Sequence, residues 1–157
     1  IKQKKVKIKN LINSIFIFFL LIYFINSSNA GEIFVSLKKN KVNVRYGPSF
    51  ESDIKYVYKK INLPLKQIDK KENFRRIIDL KNNSGWIHIS QLKKINSVIA
   101  LKDKVLFKKS SLFSKPIANI KKGRLLIILT CEIDWCRVKT NNFKGWVNKD
   151  NLWGVTK

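Results

Sequence analysis

Val42-Asn43-Val44-Arg45-Tyr46-Gly47-Pro48-Ser49 is the stretch on which the reading of this chain turns. Its two valines alternate with Asn43 and Arg45, so one face of a strand is branched and apolar and the other polar. Gly47-Pro48-Ser49 then breaks the strand into a turn. The same grammar continues downstream. Leu63, Leu65 and Ile68 precede a β-branched and aromatic run over residues 74–80, and Gly85-Trp86-Ile87-His88-Ile89 alternates again. Turn-forming clusters at 69–73 and 81–85 separate these runs. About five short strands in some sixty residues predict a small all-β barrel, because a flat sheet of that size cannot hide its edges.

The pattern is then repeated. Lys41-Val42-Asn43-Val44-Arg45 aligns with Lys104-Val105-Leu106-Phe107-Lys108 at an offset of 63, followed by Phe50 with Phe113, Ile54 with Ile117, and Val57 with Ile120. At an offset of 61, Phe74-Arg75-Arg76-Ile77 aligns with Trp135-Cys136-Arg137-Val138. At 60, Gly85-Trp86-Ile87 meets Gly145-Trp146-Val147, and Leu92 meets Leu152. Ordered matches with few gaps indicate a duplication. A first barrel is expected over residues 31–95 and a second over 96–157, joined at 93–97 by a connection short enough that the two touch.

Residues 1–30 belong to neither barrel. Lys2, Lys4, Lys5, Lys7 and Lys9 form a basic start without an acid, an unbroken apolar run fills 15–25, and Asn26-Ser27-Ser28-Asn29-Ala30 follows. This is the three-part layout of a secretory signal peptide, with cleavage expected between Ala30 and Gly31. The apolar run is short for a membrane span, and an uncleaved N-terminal anchor in the inner membrane is the alternative. Export predicts the periplasm. There Cys131 and Cys136, bracketing a short loop between strand-like runs, are placed to pair across a hairpin.

Cleavage after Ala30 leaves 28 Lys and Arg against ten acids, a net charge of +18. The abundance of Lys, Asn and Ile fits an AT-rich genome as well as selection for charge. Either origin produces weak, salt-sensitive attraction to anionic surfaces. Nucleic acid is not an expected partner of an exported chain. His88 is the single histidine, and no glycine-rich phosphate loop, paired-carboxylate motif or metal-ligand cluster appears, so neither cofactor nor metal is expected.

The stretch from Val42 to Ser49 closely resembles the opening signature of bacterial SH3-like domains, a strand ending in Asn-Val-Arg followed by x-Gly-Pro-Ser. Gly85-Trp86-Ile87 and Gly145-Trp146-Val147 resemble the Gly-Trp-Val element of the same family. Trp135-Cys136-Arg137-Val138 with Cys131, and Asn151-Leu152-Trp153-Gly154-Val155, resemble exported tandem members from alphaproteobacteria. The second repeat departs from the signature, with Lys108-Lys109-Ser110-Ser111 in place of Arg-x-Gly-Pro. The resemblance implies two five-stranded SH3-like barrels and, in many relatives, attachment to peptidoglycan or to peptides.

The expected function is therefore non-catalytic binding at the cell envelope, to peptidoglycan or a peptide. The alternatives are a periplasmic scaffold for a protein partner and an accessory subunit of an envelope enzyme. Groove candidates are Arg45, Tyr46, Tyr56, Tyr58, Trp86 and Trp146. The tyrosines lie in or just after the first loop, and Arg45 has the donors to brace that loop or to hold a carboxylate. Trp86 and Trp146 offer broad faces to a sugar or peptide; the competing expectation is that they close the barrel cores. Phe50 and Phe113 read as core. Trp153 is expected between the barrels or on the second one.

Overall fold

The computed structural model describes residues 31–155. The expected signal peptide and its Ala30 cleavage position lie outside the described residues. Everything described is strand, turn and one short 3-10 turn at Ile89–Gln91. Among the described residues no helix is long and apolar enough to cross a membrane.

The first repeat contributes β1 (Ile33–Leu37), β2 (Val42–Arg45), β3 (Ile54–Tyr58), β4 (Pro64–Lys71), β5 (Phe74–Ile78), β6 (Ser84–His88) and β7 (Leu92–Lys94). They form one antiparallel sheet in the order β3-β2-β6-β5-β4-β1-β7. The second repeat contributes β8 (Ser97–Ala100), β9 (Lys104–Phe107), β10 (Pro116–Ile120), β11 (Leu125–Cys131), β12 (Trp135–Thr140), β13 (Phe143–Asn148) and β14 (Leu152–Trp153). Its order, β10-β9-β13-β12-β11-β8-β14, is the same path through space. There are seven strands per repeat rather than about five, because β1 and β8 precede the repeated motif and β7 and β14 are too short to show a period. The junction shrinks to Ile95 and Asn96, since residues 93–94 and 97 are already in strands.

Alternation decides which side chains are buried. Leu37, Val42, Val44, Leu65, Ile77 and Ile87 fill the first core, and Val98, Leu106, Leu126, Val138 and Val147 anchor the second. Between Val44 and Ile87 the sheet has no room for a side chain at Gly85. A Cβ there would strike Val44 Cγ1 and lie 3.0 Å from the Arg45 carbonyl oxygen. At Gly145 it would come within 2.6 Å of the Phe107 carbonyl oxygen and 2.7 Å of Leu106 Cγ. The glycine of each Gly-Trp pair thus lets β6 cross β2, and β13 cross β9, at close range.

These contacts correct the repeat alignment by one residue. Gly85 faces Val44 and Arg45 where Gly145 faces Leu106 and Phe107, and Trp86 pairs with Arg45 where Trp146 pairs with Phe107. The offset in β2 and β9 is 62, not 63, so Arg45 corresponds to Phe107 and Phe50 to Leu112. The Lys-Val dipeptides at 41–42 and 104–105 favour the wrong register, and a one-residue slip exchanges the two faces of a strand.

The hairpin of β11 and β12 places Cys131 opposite Cys136, with Cα atoms 4.1 Å apart, and the two form a disulfide. Glu132 N–H donates to the Trp135 carbonyl at 2.8 Å, so the cysteines occupy the adjacent non-hydrogen-bonded site, where cross-strand Cα atoms lie closest.

The repeats meet through a polar seam. Ser36 and Ser97 are both fully buried, with hydroxyls 3.0 Å apart. The Asn96 N–H donates to Ser36 Oγ at 3.2 Å, and Ser97 Oγ donates to the Asn62 carbonyl. Trp153 closes the seam. Its ring stands edge-on to Phe34 at 5.1 Å, and its indole N–H donates to the Pro64 carbonyl at 3.3 Å. Trp153 therefore packs between the repeats, the first of its two expected places.

Candidate functional site

Trp86 sits on the outer face of β6, between Gly85 and Ile87, which are both buried. Its cross-strand neighbours are Arg45 on β2 and Arg76 on β5. Residues opposite one another in adjacent strands share a face, so Trp86 stands on the outer face in one row with Arg45 and Arg76. Tyr46, at the start of the first loop, is 65% exposed beside them. Lys55 Nζ lies 5.5 Å from the Tyr46 ring centroid and donates to the Ser84 carbonyl at 3.0 Å. Arg45, Tyr46, Lys55, Arg76 and Trp86 line a cleft of about 280 Å3. The cleft combines two aromatic faces with three cations, and no acid lines it.

The loop that carries Tyr46 is braced from below. Arg45 Nη1 donates to the Phe50 carbonyl at 2.8 Å and to the Ser52 carbonyl at 2.6 Å. The Tyr46 N–H donates to the Asp53 carbonyl at 3.1 Å. Ser49 Oγ donates to the Glu51 carboxylate, and this bond, with one from the backbone, holds the Glu51 carboxyl below its ordinary range. The guanidinium also lies 5.7 Å from the Phe50 ring centroid. Arg45 is thus both a wall of the cleft and the tie of the loop above it.

Not every expected groove residue reaches this cleft. Tyr56 and Tyr58 lie half-buried against the first core instead of presenting free phenols. Their rings meet edge-on at 5.2 Å, and the Tyr58 hydroxyl donates to Asp79 Oδ2 at 3.0 Å. Burial, assisted by the neighbouring Tyr56 and Asp79, pushes the Tyr58 phenol far up. Trp146 lies in the second barrel, where its neighbours are Phe107 and Arg137. Neither Trp86 nor Trp146 joins a core. Their glycine neighbours take the inward positions, so the indoles point the other way.

Phe50 and Phe113, expected in the cores, are 58% and 100% exposed. Phe50 caps the surface instead, 5.2 Å from Phe74 and 4.9 Å from His88. His88 Nδ1 is 2.8 Å from Ser90 Oγ, a contact that closes the following 3-10 turn. Lys55 and Arg76 were absent from the expected site. Their signal is positional, since Arg76 faces Trp86 only after β5 and β6 are paired.

Two larger depressions lie elsewhere. One, of about 650 Å3, is lined by lysines 60, 121, 122 and 139 with Arg124. The other, of about 780 Å3, carries Asp134, Lys149 and Asp150. Both exceed the Trp86 cleft in volume, but neither presents an exposed aromatic face, and volume alone selects no ligand.

The model of the bacterial SH3 domain matches residues 38–94 and again 103–154, one match per repeat. The chain belongs to the bacterial SH3 domain family. No curated protein matches it. Among solved structures it is similar to NlpC2 from Trichomonas vaginalis, with 13% identity and a TM-score of 0.37 over 77% of this chain and 47% of that one. It is similar also to NlpC1 from the same organism, with 14% identity and a TM-score of 0.37 over 81% and 47%. The chain spans about half the length of these structures. Both bacterial SH3 repeats keep the outward tryptophan, but only the first adds a phenol and two further cations around it.

Proposed function

We propose that the first bacterial SH3 repeat is a non-catalytic binding module of the exported envelope that takes peptidoglycan in the Trp86 cleft. The observation that carries this reading is the placement of exposed Tyr46 beside Trp86, within a ring formed by Arg45, Lys55 and Arg76. Aromatic faces stack on sugar rings or on the flat parts of a peptide. Guanidinium forks match carboxylates, and peptidoglycan stem peptides carry carboxylates. A neutral sugar would not need three cations, and a simple anion would not need two aromatic faces. The second repeat has Phe107 and Lys108 where the first has Arg45 and Tyr46, so the first repeat carries the binding.

The test is pelleting of the chain from Gly31 with purified peptidoglycan at low and high salt, beside Tyr46→Ala and Trp86→Ala variants checked by circular dichroism. Retention that survives high salt and falls about ten-fold in folded Tyr46→Ala is the expected result. Retention that vanishes with salt in every protein reduces the interaction to unspecific charge and overturns the reading. A discrete protein recovered from envelope extracts through Tyr46, with no wall retention, replaces the wall with a peptide ligand.

A further inference from the structure

The first loop of the second repeat, residues 108–115, projects from its barrel where its counterpart lies down. In the first repeat Arg45 ties the loop by two hydrogen bonds and Phe50 folds onto Phe74 and His88. In the second, Phe107 occupies the place of Arg45 and has no donor to offer. Its ring stands edge-on to Trp135, the counterpart of Phe74, at 5.9 Å. The landing place for a loop side chain is thereby occupied from below. Leu112 and Phe113 are left 69% and 100% exposed at the tip.

The tip is nevertheless ordered by its own hydrogen bonds. The Lys108 N–H donates to the Lys115 carbonyl at 2.9 Å, and the Lys109 N–H to Ser114 Oγ at 2.9 Å. The Phe113 N–H donates to Ser111 Oγ at 3.2 Å. Lys108, Lys109 and Lys115 flank the apolar pair, and all three are exposed. Between Asp103 and Glu132 the sequence holds seven Lys and Arg and no acid.

We propose that this loop docks the protein on an anionic phospholipid surface, with Leu112 and Phe113 entering the headgroup–acyl boundary and the three lysines engaging lipid phosphates. Apolar side chains at the tip of a basic collar suit such a surface, because burial and charge attraction add. A protein partner of ordinary size would need roughly 800 Å2 of matched surface per side, and two side chains among lysines and serines do not supply it. The inference is independent of the Trp86 cleft, which lies in the other repeat.

Vesicle flotation tests it with the chain from Glu32 onward, which forms one compact body with both cores. Phosphatidylcholine vesicles with and without phosphatidylglycerol serve as the surface. Flotation with the anionic vesicles is expected to fall about ten-fold in Leu112→Ser/Phe113→Ser, and strongly in Lys108→Gln/Lys109→Gln/Lys115→Gln. A control with the same charge loss, Lys70→Gln/Lys71→Gln/Lys81→Gln, is expected to retain most of it. In Phe113→Trp, the added fluorescence is expected to shift to the blue on these vesicles and to be quenched by brominated lipid. Unchanged flotation of the Leu112→Ser/Phe113→Ser variant overturns the proposal, as does an unshifted Phe113→Trp emission. Equal losses in the two lysine triples also overturn it, leaving only diffuse charge.

Discussion

Asp79 gathers four hydrogen bonds into one turn after β5. Its Oδ1 accepts from the Lys81 and Asn83 N–H groups at 2.8 and 2.9 Å, and its Oδ2 from the Asn83 amide and the Tyr58 hydroxyl, both at 3.0 Å. Burial works to raise the carboxyl, but the bonds from Asn83, Lys81 and Tyr58 outweigh it and hold the group below its ordinary range. Its folded-state value is therefore below the unfolded one. The stabilisation is complete above the unfolded value, near pH 4, and is lost as pH falls through the folded value. Urea midpoints measured from neutral to acid pH are expected to fall through that window, and Asp79→Asn is expected to remove this part of the slope. Asp79→Ala leaves the Lys81 and Asn83 backbone donors unpartnered and the Tyr58 hydroxyl with only the Tyr56 hydroxyl at 3.4 Å, and is expected to cost about 2–3 kcal/mol at neutral pH.

The same glycine recurs on β6 and β13 because two strands cross there at backbone contact. Gly85→Ala is expected to destabilise the first barrel by about 2 kcal/mol, read from the urea midpoint, since the Arg45 carbonyl cannot turn aside as a flexible side chain would. The β11–β12 hairpin carries a covalent clamp that its counterpart, the β4–β5 hairpin, lacks. Replacing both cysteines by alanine is expected to cost about 2 kcal/mol, and wild type under full reduction should match the variant. Equal midpoints in oxidised and reduced protein would contradict a stabilising role.

Strands and turns were legible at this scale because period-two alternation and Gly-Pro-Ser or Asn-Asn punctuation act locally. The cysteine pair was legible because its partners share one hairpin. Register was not. Lys41-Val42 and Lys104-Val105 look equivalent, yet Lys104 takes the place of Val42, half-buried with its Nζ donating to the Asp150 carbonyl at 2.5 Å. That one-residue slip also hid the exchange of Arg45 for Phe107. Phe50 and Phe113 were misplaced for a related reason. A phenylalanine in a loop has no periodicity to say which way it faces, and only the partner beneath it decides. Arg45, Tyr46 and Trp86 were found in the sequence as separate candidates; their convergence, with Arg76, needed the strand order.

The two barrels share a buried seam rather than a linker, with Ile95 and Asn96 the only residues between β7 and β8. Ser36, Asn62 and Ser97 are satisfied by one another across it, and Gly154 crosses it at φ 105°, 2.9 Å from the Ser97 carbonyl oxygen if a Cβ were added. The wild-type protein is expected to unfold in urea as one transition. Trp153→Ala removes the Phe34 contact and the bond to Pro64, and is expected to separate that transition into two, followed by tryptophan fluorescence and far-ultraviolet circular dichroism. A single unbroken transition in the variant would mean that Trp153 does not couple the halves.

Trp153 has a metrical consequence. A flexible tether lets two binding surfaces search a volume, so that their joint engagement declines gradually as targets move apart. A seam that fixes one barrel against the other removes that search. Whatever the Trp86 cleft grips and whatever the Phe113 tip touches are held at one separation and one angle. On the two proposed bindings, the chain would act as a gauge, engaging both targets at once only where their spacing equals its own.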